Sequence, residues 1–192
     1  MPTVLLVHHT VSPALDELVA AVVAGIEHPE LEGSVRAALS PALSTTAADV
    51  LAADAYALIT PVNIGYMSGA LKHVFDTIYY PCLSATIRRP YALVAHGGSD
   101  LAGGIRSVET IASALQWTRI YPPLEVVGAP GRDDLTRAEE LGSTLAAAVM
   151  DRTVTELEKR HAPPKNTARK APRGSRPTIP ASAATCATRL CG

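Results

Sequence analysis

The chain has 192 residues, 47% of them hydrophobic, with a formal net charge of −1 at neutral pH. That is enough apolar material for one well-filled core, and the mildly acidic balance of the body before residue 163 argues against nucleic acid as a main partner. The charge is uneven. Lys165, Arg169, Lys170, Arg173, Arg176 and Arg189 lie after residue 162 with no acidic residue among them, so the preceding body holds 11 of the 17 basic residues against all 18 acidic ones. No apolar run approaches the ~18 residues of a membrane span. Met1-Pro2-Thr3 passes directly into an apolar run without a charged n-region, so no secretion leader is expected. The 3 cysteines, Cys82, Cys186 and Cys191, do not make a disulfide framework, and a reducing cytoplasm is expected.

The elements alternate. Thr3–Val7 is a short unbroken apolar run, as in a strand buried on both faces. Pro13–Ile26 carries apolar residues at helical spacing, with Ser12 placed to cap, Pro13 tolerated in the first turn and Asp16 and Glu17 suited to the positive end of the dipole. A weak second strand over Val35–Leu39, near a sheet edge, precedes a short helix from Thr46 to Ala53. Tyr56–Thr60 is the third strand, followed by a helix from Ser68 to Ile78 with Ser68 as its cap. Tyr91–Ala95 is the fourth strand, Ile105–Trp117 the fourth helix and Leu124–Val127 the fifth strand. Asp133–His161 forms the last helix, with a break or frayed end expected. Strands alternating with helices predict an α/β sandwich with a parallel sheet and right-handed crossovers. Residues 163–192, rich in Pro, Ala, Thr and basic residues, show no apolar periodicity and read as a disordered tail on a domain spanning 1–162.

In such a sheet, ligands bind where the loops after neighbouring strands diverge. Three loops are candidates. His8-His9-Thr10-Val11-Ser12-Pro13-Ala14 ends at a helix N-terminus, where free N–H groups and the dipole favour an anion. Pro61-Val62-Asn63-Ile64-Gly65-Tyr66-Met67 supplies residues tolerant of positive φ (Asn63, Gly65), an aromatic face and a thioether. His96-Gly97-Gly98-Ser99 permits close backbone approach and carries a histidine suited to proton exchange near neutrality. Zinc is not expected. His8 and His9 point to opposite faces of a strand, and His73 has Thr77 rather than a ligand four residues on. Cys82 reads as a packed residue rather than a nucleophile, and Trp117 as core.

The run Thr60-Pro61-Val62-Asn63-Ile64-Gly65-Tyr66-Met67-Ser68-Gly69-Ala70-Leu71-Lys72-His73-Val74-Phe75-Asp76 resembles the isoalloxazine-binding loop of flavodoxin-like proteins, in the NAD(P)H-dependent FMN reductase and quinone reductase branch. The resemblance covers about Thr3 to Ala148. It implies the flavodoxin-like order 2-1-3-4-5 and an FMN cofactor. It also implies hydride transfer from NAD(P)H to FMN, with electrons passed on to a quinone or similar small-molecule acceptor, or to a redox partner protein. It places Thr10, Ser12, Ala14 and Leu15 at the phosphate. Pro61, Val62, Asn63, Ile64, Gly65, Tyr66, Met67 and Ser68 fall along the ring, with His96, Gly97 and Gly98 at its pyrimidine edge. Reductases of this branch often complete the pocket with a second subunit, so a homo-oligomer is compatible. One departure stands out: Pro13 occupies a position where the family often has glycine, and it removes an N–H donor. Two other readings share the fold, a one-electron carrier and a flavin-free interaction protein.

Overall fold

The first strand has no polar residue between Val4 and Val7, and the molecule is built outward from it. A computed structural model describes residues 1–28, 30 and 33–161, with side chains described through 152 in the last helix. The elements are β1 (Thr3–His8), α1 (Pro13–Ile26), β2 (Arg36–Pro41), a 3₁₀ turn (Ala42–Ser44), α2 (Ala47–Ala52), β3 (Ala55–Pro61), α3 (Gly69–Cys82), β4 (Pro90–Gly97), α4 (Ala102–Ala114), β5 (Thr118–Arg119), β6 (Leu124–Val127) and α5 (Arg132–His161). Every strand pairing in the sheet is parallel, in the order β2-β1-β3-β4-β5. This is the flavodoxin-like arrangement.

Side chains alternate across each central strand. Val4, Leu6, Ala57, Ile59, Ala92 and Val94 face one layer, where they pack with Leu15, Leu18, Val22 and Ile26 of α1 and Leu141 and Leu145 of α5. Leu5, Val7, Tyr56, Leu58, Leu93 and Ala95 face the other, against Leu71, Val74, Phe75 and Ile78 of α3 and Ile105, Val108 and Ala112 of α4. Trp117 is buried there, its ring centroid 4.2 Å from that of Tyr56, and its indole N–H donates to Thr86 Oγ1 at 2.8 Å. Burial pushes the Tyr56 phenol up to about 12, with Arg89 opposing. The phenol donates to the Val50 carbonyl at 2.9 Å and stays neutral. Cys82 is buried too, and burial raises its thiol.

The structure differs from the sequence expectations mainly at element ends. β2 begins at Arg36 rather than Val35 and runs to Pro41, while Val35 is buried at its entrance. It lies at the sheet edge, paired with β1 alone. α3 continues past Ile78 to Cys82, because Pro81 falls in its last turn, where it removes only one ladder bond before the helix ends. α4 starts at Ala102 and stops at Ala114, so Trp117 lies beyond it. The fifth strand position is filled in two pieces: β5 pairs with Pro90–Tyr91 and β6 with Val94–Gly97. Pro122 and Pro123 separate them, since neither has an N–H for the ladder. α5 is one helix from Arg132 to His161, without the expected break. The tail from 163 onward lies outside the described residues.

Two glycine contacts set the position of the cleft walls. α1 and α5 cross where a Cβ on Gly25 would strike the Glu139 carbonyl and one on Gly142 would strike the Val22 carbonyl. Ser143 Oγ donates to the Gly25 carbonyl at 3.0 Å across the same contact. On the other face, the first turns of α4 press against the Val62–Met67 loop. A Cβ on Gly103 would meet the Gly65 carbonyl oxygen, and one on Gly104 the Val62 side chain.

Gly142→Val is therefore expected to destabilise the domain by about 1–3 kcal/mol, the usual cost of overpacking. Urea unfolding would show a lower midpoint at unchanged slope, and an unchanged midpoint would contradict the crossing. Gly103→Val should lower the hydrogen-exchange protection of the Met67 amide. Gly98→Ala, at a position where a Cβ meets nothing within 4 Å, should leave it alone.

Candidate functional site

The carboxyl ends of β1, β3, β4 and β6 converge on a cleft of about 340 Å³ lined by Val11–Leu15, Pro61, Asn63, His96–Gly98, Gly128 and Ala129. Its first wall is the β1–α1 loop. Ser12 caps α1 in extended conformation, its Oγ accepting from the Leu15 N–H at 3.5 Å and its carbonyl from Leu15 and Asp16. The backbone N–H groups of Thr10, Val11, Ser12 and Ala14 have no acceptor among the described residues. Pro13 brings no N–H. Four unpaired donors at or beside the positive end of a 14-residue helix are groups that could hold an anion. The lining contains no Lys or Arg. The cradle therefore works by backbone dipoles rather than by paired charge.

Thr10 lies just outside the lining. Its hydroxyl is held by His8 Nδ1 at 2.6 Å. His8 sits below its ordinary pKa, chiefly through burial, with Asp16 opposing and His9 adding to the shift. His9 faces the other side of β1, and its Nδ1 is buried without a hydrogen-bond partner.

The second wall is the β3–α3 loop. Val62 and Met67 pair across its base in an antiparallel bridge, and both are 4% exposed. The Val62 N–H donates to the His96 carbonyl at 2.7 Å. Met67 N–H donates to Ser107 Oγ at 3.3 Å, and Ser68 N–H to Thr60 Oγ1 at 3.1 Å. Ser68 Oγ in turn accepts from the Leu71 N–H at 3.2 Å and caps α3. The base of the loop is thus fixed by buried bonds, while its tip projects. Ile64 is 94% exposed and Tyr66 46% exposed, and Gly65 takes φ of 69° at the turn.

The third wall comes from the ends of β4 and β6. His96 and Gly97 belong to β4 rather than to the loop after it, because the ladder continues: His96 pairs with Val126 and Gly97 with Val127. His96 Nε2 lies 2.8 Å from the Gly128 carbonyl and donates to it, and the Gly128 N–H donates to the Gly97 carbonyl at 2.9 Å. His96 is thereby clamped through one ring nitrogen, leaving Nδ1 for a ligand.

Of the residues singled out from the sequence, Ser12, Ala14, Leu15, Pro61, Asn63, His96, Gly97 and Gly98 meet in the cleft. Ile64, Gly65 and Tyr66 form the projecting tip beside it. Thr10 is turned to His8, and Val62, Met67 and Ser68 anchor the loop rather than line the cleft. Gly128 and Ala129 were missed by the sequence reading. Their only signal was their place at the end of the fifth strand, where the doubly wound rule would have included them. The donor set suits a phosphate at the helix start, and the exposed, glycine-turned tip suits a flat aromatic ring beside it, so the residues present fit FMN.

Residues 11–132 match the family described as NADPH-dependent FMN reductase. Among solved structures, the chain is similar to a flavodoxin from the domain Archaea (TM-score 0.67, 16% identity, covering 77% of this chain and 99% of that one). It is likewise similar to a WrbA-like flavodoxin from Agrobacterium tumefaciens (TM-score 0.65, 18% identity, 79% and 99% covered). A third is the rubredoxin oxygen:oxidoreductase of Desulfovibrio gigas (TM-score 0.66, 10% identity, 79% of this chain and 37% of that one). No curated protein matches the sequence. At these identities the structures speak for the fold alone, whereas the family match spans most of the folded body. The chain belongs to the NADPH-dependent FMN reductase family.

Proposed function

We propose that this protein binds FMN in the three-walled cleft and reduces it with NAD(P)H, passing electrons to a quinone or a similar small acceptor. The observation that carries this reading is the cradle of four unpaired N–H groups at the start of α1, set beside the projecting Asn63–Tyr66 tip. When bound, FMN supplies a centre that accepts hydride and releases electrons. The chain's residues bind and orient it. Thr10, Val11, Ser12 and Ala14 offer N–H groups to the phosphate. Asn63, Gly65 and Tyr66 offer backbone and an aromatic face to the ring. His96, held by Gly128, presents Nδ1 toward the ring's polar edge, and Gly97 and Gly98 admit it closely. No acid or base in the cleft is assigned a proton-transfer step.

Purified after mixing with excess FMN and desalted, the protein should keep a visible flavin spectrum and oxidise NADPH in the presence of a quinone. Retained flavin without turnover would mark a carrier. A colourless protein would overturn the reading.

The phosphate end has its own test. Ser12→Asp keeps a good N-cap, so thermal stability should be unchanged. The added carboxylate would repel a dianion at close range, and FMN affinity is expected to fall on the order of 100-fold. Riboflavin, which lacks the phosphate, should bind the variant as it binds the parent. Equal losses for both flavins would place the phosphate elsewhere.

A further inference from the structure

The cradle at α1 is built for a dianion yet contains no fixed cation, and Pro13 has cost it a donor. The lining has no Lys or Arg. Besides His96, which lines the cleft and is bonded to Gly128, a group able to acquire positive charge beside the loop is His8, whose Nδ1 is 2.6 Å from Thr10 Oγ1. His8 continues the Val4–Leu6 face of β1, the face that α1 covers. Its strand neighbours, Pro41 of β2 and Ile59 of β3, bring no charge. Asp16 on α1 and His9 beside it are the charged or titratable groups that act on it, in opposite directions.

We propose that His8 is a proton-linked positioning residue of the phosphate cradle: it is neutral when the cradle is empty and becomes imidazolium at neutral pH when a phosphate monoester dianion is seated. This rests on the assignment of the phosphate to the Thr10–Ala14 loop. The hydrogen bookkeeping is simple. Thr10 has one hydroxyl hydrogen. With His8 neutral and its ring hydrogen on Nε2, Nδ1 accepts, so the Thr10 hydrogen is directed at the imidazole and is lost to a ligand. When His8 takes a proton from solvent onto Nδ1, it donates to Thr10 Oγ1 instead, and the Thr10 hydrogen is released for another acceptor. One proton is taken up, one charge is added and one donor is gained, which replaces the N–H that Pro13 removed. Burial lowers the pKa of the empty-site histidine and favours its neutral form, so a seated dianion is what draws the proton on. The cradle's affinity is then tuned by pH rather than fixed by a lysine.

The test uses the full chain with FMN, riboflavin and inorganic phosphate. Between pH 7 and 9 free phosphate monoesters are already dianions, since their second pKa is about 6. FMN affinity should fall with rising pH, by up to tenfold per unit through the His8 titration of the complex. Riboflavin affinity should stay flat, and His8→Gln should flatten the FMN profile. Imidazole NMR of His8 should show its titration moving above pH 7 on adding FMN or inorganic phosphate, and staying in place with riboflavin. FMN bound with His8 still neutral at pH 7 would overturn the inference while leaving the site intact. FMN bound no more tightly than riboflavin would remove the phosphate site, and the inference with it. If His8→Gln fails to fold, the NMR titration of the parent protein decides.

Discussion

Backbone approaching backbone, with no side chain between, is the constraint on which this molecule depends. α4 can press onto the Val62–Met67 loop only because Gly103 and Gly104 lack a Cβ there. Gly104 meets Val62 at the base of the loop and Gly103 meets the Gly65 carbonyl at its turn, while Ile64 and Tyr66 stay exposed beside the cleft. The Gly25–Gly142 crossing likewise sets α1 close against α5 on the other face. Since the N-terminus of α1 forms one wall of the cleft, the depth at which α5 lets the helix sit sets the position of that wall. Both walls are therefore fixed by close packing rather than by charged pairs, in keeping with the rigidity of protein interiors.

Electrostatics follows from that placement. The cleft collects partial charges, namely unpaired N–H groups, a helix dipole and a clamped histidine, and it excludes lysine and arginine from its lining. Preorganised dipoles cost little reorganisation when a charged group arrives. They also leave a net charge uncompensated, which is the gap that a protonated His8 would fill. The mild acidity of the body, 11 basic against 18 acidic residues before position 163, would otherwise disfavour an anionic cofactor at long range.

Much of the fold was legible because its signals are local. α1 runs over Pro13–Ile26 as read, with Ser12 as its cap, since proline at the first helical position and a preceding serine mark the start independently of tertiary context. The central strands were legible as unbroken apolar runs. Errors came where a local rule met a tertiary requirement. The fourth helix read from Ile105, yet it begins at Ala102 and runs through Gly103 and Gly104, where a Cβ would strike the loop beneath. His96 and Gly97 read as loop residues, yet β6 extends their ladder. The same limit applies at the site. Residues of the β1–α1 and β3–α3 loops that line the cleft were singled out from their own sequence, whereas Gly128 enters through its bonds to His96 and Gly97, partners 32 and 31 positions away. The turn of Thr10 toward His8 likewise depends on rotamers that no spacing encodes.

The central claim is that one cleft at the carboxyl end of the sheet holds FMN with its phosphate at α1 and its ring beside the Asn63–Tyr66 tip. A crystal structure of the protein grown with FMN tests this most directly. The account predicts phosphate density within hydrogen-bond distance of the Thr10, Val11, Ser12 and Ala14 amides, with the ring between the Asn63–Tyr66 tip and the His96–Gly98 backbone. Density for FMN at another surface, or in the cleft with its phosphate directed away from α1, would contradict it.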